Sequence, residues 1–197
     1  TALVAAATWP DVFAGAASIA GVPFHCTTVF AEVSSCQKPG KDKTPAQWGD
    51  LVRAAHGGHA GPWPRVSVWQ GSADTIVGTA NRTEIVEQWT NVHGLPASPS
   101  GTETVDGQTR SVWKEAKGTP VVETYEIPAM GHGVPVVPSK QCGAAGAYAV
   151  DKGICAARRT AEFFGLTATG PGSDAGSRGG ASSGGASSGG SSSGGSS

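Results

Sequence analysis

Apolar residues recur along this chain with two different periods, and the switching between them predicts a layered α/β fold. Positions 2–7 are rich in Ala and suit a helix, which Pro10 ends. Positions 18–21 are small and apolar and read as a buried strand leaving through Gly21. Positions 26–64 read as loop, crowded at the end by Gly57, Gly58, Gly61, Pro62 and Pro64. Within it, Trp48, Leu51 and Val52 suggest one or two helical turns. Strand periodicity returns at 65–70, where Val66 and Val68 alternate with Ser67 and Trp69 before Gly71.

A polar turn, Ser72-Ala73-Asp74-Thr75, comes next. Asn81 followed by Glu84 has the spacing of a capping box. Ile85, Val86, Trp89 and Val92 then make one apolar helical stripe that stops at Gly94. Asp106-Gly107, between 102–105 and 108–113, predicts a hairpin. A strand at 121–127 runs into Pro128-Ala129-Met130-Gly131-His132-Gly133. A helix over 156–164, capped at Gly165, closes the unit. Strands interleaved with helices imply a mostly parallel sheet. In such sheets the chemistry sits on loops beyond the carboxyl ends of strands, where Asp74 and His132 both fall.

Composition divides the chain in two. Residues 170–197 are almost entirely Gly, Ser and Ala. With no apolar side chains to bury, such a stretch cannot offset its ordering entropy and reads as a flexible linker. Residues 1–169 are the expected folding unit. The 14 Lys and Arg balance 15 Asp and Glu, so no basic face points to nucleic acid. No apolar run approaches the roughly 20 residues of a membrane helix. The four cysteines fall into local pairs, Cys26 with Cys36 and Cys142 with Cys155. Local pairing suggests disulfides and an oxidising, extracellular setting; four buried thiols are the alternative. Neither pair has the tight spacing of a zinc grip, and His56 and His59 have no evident third ligand, so no metal is expected.

Asp74 and His132 have the chemistry of two members of a catalytic triad. A histidine base needs a carboxylate on its second ring nitrogen, to fix the tautomer and stabilise the imidazolium. Acid before histidine, each just after a strand, is the order of α/β-hydrolases. A turn aspartate and a loop histidine bonded to backbone are the plain structural alternatives.

The segment Val66-Ser67-Val68-Trp69-Gln70-Gly71-Ser72-Ala73-Asp74-Thr75-Ile76-Val77 resembles the acid loop of polyhydroxybutyrate-depolymerase-like esterases. Met130-Gly131-His132-Gly133 resembles their histidine loop, and Trp9-Pro10-Asp11-Val12-Phe13 the stretch after their nucleophile. Cys142, Gly143, Tyr148, Asp151 and Cys155, then Phe163-Phe164-Gly165-Leu166, resemble their ending. The resemblance implies an α/β-hydrolase fold, Asp74 and His132 as catalytic residues, and no cofactor. Gln70 stands where the family usually has His, and Ala129, which looks harmless, where it often has Gly.

The family's nucleophile lies in a Gly-Leu-Ser-Ala-Gly-Gly elbow just before the helix with which this chain opens. No Gly-x-Ser-x-Gly elbow occurs in residues 1–169. The expected serine lies roughly half a dozen residues before Thr1, given the strand–elbow–helix arrangement. The resemblance thus implies a secreted carboxylic-ester hydrolase, here as its C-terminal part, acting on poly(3-hydroxybutyrate) or a similar polyester. Feruloyl or acetyl xylan esters are the second substrate class, and a non-catalytic remnant or binding module the alternative to an enzyme. Trp63 and Trp48 are candidates to line the substrate site. The linker suggests a substrate-binding module beyond it.

Overall fold

The computed structural model describes residues Thr1–Thr167. The proposed linker, 170–197, lies outside the described residues. The chain begins with α1 (Ala2–Thr8) and β1 (Gly15–Ile19), followed by a short 3₁₀ turn, α2 (Val33–Gln37) and α3 (Pro45–Ala55). Next come β2 (Arg65–Gly71), α4 (Ala80–Val92), and the antiparallel strands β3 (Gly101–Val105) and β4 (Gln108–Lys114). β5 (Pro120–Ile127), β6 (Val134–Val136), β7 (Ala149–Asp151) and α5 (Ala156–Phe164) complete it.

Five strands form one sheet in the order β1-β2-β5-β4-β3. β1, β2 and β5 are parallel, whereas β4 and β3 continue antiparallel from β5. The expected parallel character therefore holds for half of the sheet. The hairpin signalled by Asp106-Gly107 supplies the other half: a tight turn can join only antiparallel neighbours.

β2 shows why its alternation is muted. Val66 and Val68 pack with Ile85, Trp89 and Val122, while Trp69 faces Tyr125, Ile127 and Ile154 on the other side. Both faces are covered, as expected for parallel strands between helices. Trp69 stacks on Tyr125 with ring centroids 3.9 Å apart, and its indole N–H donates to Ser67 Oγ and Thr160 Oγ1. Glu123 in β5 is fully buried, and burial pushes its carboxyl above the usual range. Ser67 Oγ and Arg110 Nε donate to it at 2.7 Å each, which satisfies it there.

Three expectations are corrected here. The stretch 26–64 is more ordered than its glycines suggest. Thr44 and Gln47 cap each other's backbone around Pro45 and start the eleven-residue α3. Second, Trp48 on that helix is fully buried, and its indole N–H donates to Glu84 Oε2 at 2.6 Å. It therefore cannot touch a substrate, and Glu84 is a core acceptor rather than a solvated helix position. Third, Asn81 is not a cap residue. α4 starts one residue earlier, and the Asn81 amide donates to Gln37 O and Gly78 O instead.

Both cysteine pairs are disulfides, Cys26–Cys36 and Cys142–Cys155. The first closes the loop ahead of α3. The second ties the segment carrying β7 to the start of α5.

Candidate active site

β2 and β5 are neighbours in parallel register, with Gly71 opposite Ile127, so their exits emerge side by side. Three hydrogen bonds stitch these exits together. Ser72 N–H donates to Ile127 O, Ala73 N–H to Met130 O, and Ala129 N–H to Ser72 Oγ. Gly71 permits the approach: a Cβ there would lie 2.2 Å from Met130 O and 2.7 Å from Gly131 O. Lys152 Nζ donates to the carbonyls of Pro128 and Ala129 and holds the second loop from its other side.

On this frame His132 Nδ1 lies 2.9 Å from Asp74 Oδ2. The Asp74 side chain is fully buried, while the His132 side chain is 28% exposed. Asp74 Oδ1 accepts the backbone N–H groups of Ile76 and Val77, both at 2.9 Å. Oδ2 also accepts from Gln70 Nε2 at 3.0 Å. These donors fix the plane of the carboxylate and leave Oδ2 aimed at the ring. With Nδ1 committed to the acid, Nε2 is the ring atom left for chemistry. Among the described residues, Asp74 is the side chain to which His132 is hydrogen-bonded.

His132 borders two hollows. A cleft of about 530 Å³ runs past Ser18, Ala20, Phe24 and His25. A smaller one of about 410 Å³ is walled by Ile19, Ile76, Val134 and Tyr148. The Tyr148 ring stands edge-on to His132, with centroids 6.0 Å apart. An apolar wall beside a histidine–carboxylate pair suits an uncharged substrate.

The expectation for Trp63 is corrected. Trp63 lines a different cleft, with Pro62, His59 and Arg65. That cleft is at the entry end of β2, whereas Asp74 follows its exit. Seven strand residues at about 3.3 Å each put the two ends roughly 20 Å apart. His56 and His59 bond to the carbonyls of Thr8 and Pro62.

Ala129 is less neutral than its sequence position suggests. Its φ of +51° places a Cβ-bearing residue in the left-handed region. Ala129→Gly is expected to raise the unfolding free energy by up to about 1 kcal/mol, less the entropy glycine adds to the unfolded chain. Urea titration of both proteins checks the sign.

A parallel sheet core, helices on both faces and an acid–histidine pair at the strand exits define an α/β-hydrolase. The fold agrees with a solved acetyl xylan esterase from Aspergillus awamori, with a TM-score of 0.65 at 22% identity. That likeness covers 84% of this chain and 55% of the esterase. No protein-family model matches the sequence. The chain is 51% identical over 166 residues to poly(3-hydroxyalkanoate) depolymerase C of Paucimonas lemoignei. This spans 83% of the chain and 40% of the depolymerase. It is 38% identical over 136 residues to an acetylxylan esterase of Coprinopsis cinerea, covering 67% of the chain and 36% of that enzyme. The chain belongs to the polyhydroxybutyrate-depolymerase family of esterases, is related to acetylxylan and feruloyl esterases, and spans well under half of those relatives' length.

Proposed function

We propose that this chain supplies the acid and the base of a secreted serine ester hydrolase, with Asp74 and His132 as the catalytic residues. The observation that carries the reading is the 2.9 Å Nδ1···Oδ2 contact, made on a fully buried carboxylate beside a partly open ring. His132 Nε2 takes the proton from a serine hydroxyl as that oxygen attacks the ester carbonyl. The protonated ring, steadied by Asp74, then returns the proton to the departing alkoxide. Water, deprotonated in turn by Nε2, attacks the acyl-enzyme; the acid leaves and the serine oxygen takes the proton back from the ring.

The serine and the oxyanion donors are assigned to the part of the esterase that the chain does not span, just ahead of α1. The favoured substrate is a poly(3-hydroxyalkanoate), because the depolymerase is matched at higher identity and over more of the chain than the acetylxylan esterase. Acetylated or feruloylated xylan is the second reading, supported by the sequence matches to an acetylxylan esterase and a feruloyl esterase. Two disulfides support an oxidising, extracellular setting. We further assign a substrate-binding module beyond the Gly/Ser-rich tail.

The test compares the 197-residue chain with the same chain joined to the upstream half of the depolymerase, on a p-nitrophenyl short-chain ester. The joined protein should turn over and be blocked by a serine-directed inhibitor, while the chain alone should not. Equal inhibitor-sensitive turnover by both would refute the reading. Clearing of polyhydroxybutyrate films, set against acetate release from acetylated xylan, separates the two substrate classes.

A further inference from the structure

Gln70 is fully buried at the end of β2, four residues before the acid. Its amide faces two acceptors, Asp74 Oδ2 at 3.0 Å and Val77 O at 3.1 Å. Both are oxygens, so the NH2 end must point at them; the reversed amide would set oxygen against oxygen. Val77 in turn donates its N–H to Asp74 Oδ1. Gln70 thus closes a ring through the carboxylate and Val77, whose N–H holds it. It also reaches the same oxygen that faces His132.

We propose that Gln70 is a positioning residue which lowers the basicity of His132 by competing with it for Asp74 Oδ2; its catalytic consequence rests on the esterase reading above. A hydrogen-bond donor on a carboxylate oxygen draws off negative charge that an imidazolium would otherwise use. An amide does so without titrating, so its contribution is the same at every working pH. A histidine in this position would itself change charge near neutrality, and the acid would then be shared by two coupled rings. With Gln70, one titrating ring faces one carboxylate.

Lys152, Lys38, Arg82 and Glu126 each have a partner other than the Asp74–His132 pair. Lys152 Nζ is bound to the carbonyls of Pro128 and Ala129, and Lys38 Nζ to that of Thr75. Arg82 and Glu126 pair with each other beside the hollow that Gln70 borders. His25 lines the larger cleft with His132.

The experiment follows the five histidine ring signals of the 197-residue chain by NMR as a function of pH, in the parent, Gln70→Leu and Gln70→Met. Gln70→Leu removes the donor while Oδ1 stays seated on its two backbone N–H groups. The midpoint of His132 should then rise by about one pH unit. Gln70→Met keeps the length of the side chain and also removes the donor, so the midpoint should rise by a similar amount. It also carries the test if the leucine variant does not fold. A folded variant whose His132 midpoint stays within about 0.2 unit of the parent, below the 0.3 kcal/mol such a shift represents, overturns the proposal. The acidic limb of kcat/KM in the joined protein separates this inference from the esterase reading. If the NMR midpoint moves and the limb does not, Gln70 acts as proposed and the catalytic assignment of His132 fails.

Discussion

Asp74→Asn in the joined, serine-bearing protein is expected to lower kcat/KM about 10⁴-fold while leaving the fold intact. The reason is which way the new amide must face. Ile76 and Val77 present N–H groups to the Oδ1 position, so the amide oxygen is held there. The NH2 group is then forced into the Oδ2 position, against His132 Nδ1. Nδ1 must accept that hydrogen bond, so the ring carries its hydrogen on Nε2 and cannot take the serine proton. The NH2 also meets the Gln70 amide donor, which adds strain within the acid loop. Steady-state kinetics on a p-nitrophenyl ester check the loss, and near-ultraviolet circular dichroism checks the fold. A loss smaller than about tenfold, or 1.4 kcal/mol, would remove Asp74 from the triad.

Gly71→Ala is expected to cost about 4 kcal/mol of stability, far more than an ordinary glycine substitution in a strand. The added methyl would meet backbone oxygen, Met130 O and Gly131 O, rather than a side chain that could rotate away. Relief requires the histidine loop to move off the acid loop, which breaks the Ala73–Met130 hydrogen bond and draws His132 from Asp74. Chemical denaturation should show the destabilisation. A variant of parental stability would mean that the two loops do not press on one another as described.

Much of the frame was legible in the sequence. The stripe of Ile85, Val86, Trp89 and Val92 is visible because one face of α4 must be apolar to cover the sheet. The strands ending at Gly71 and Ile127 are visible because both are rich in β-branched and aromatic residues. The positions of Asp74 and His132, each just past a strand, can be read in the same way. Their hydrogen bond is expected from the family resemblance and not from local pattern, since it depends on β2 and β5 being neighbours, a fact of topology.

What escaped has the same cause. α3 has a clear start at Thr44-Pro45, yet Gly49 and the glycines after Ala55 obscure it. Trp48 and Trp63 look alike as loop tryptophans; only the packed fold shows that Glu84 captures one and that the other sits at the far end of β2. The positive φ of Ala129 leaves no trace in a residue that usually avoids it. Gln70 stood out in sequence only as a departure from a histidine, and its two acceptors belong to the folded turn.

The adjacency of β2 and β5 also bears on how such a site could be moved or enlarged. α4 and the β3–β4 hairpin lie between these strands in sequence, but the acid and the histidine are joined across the sheet, not through that excursion. The hairpin can therefore accept inserted residues or a foreign domain at its Asp106-Gly107 tip without altering the separation of the pair. The cost there is the Arg159–Asp106 ion pair, which is partly exposed. Grafting the pair onto another protein would need two neighbouring parallel strands with a glycine where their exits touch, and the acid turn from Gln70 to Val77 that seats the carboxylate.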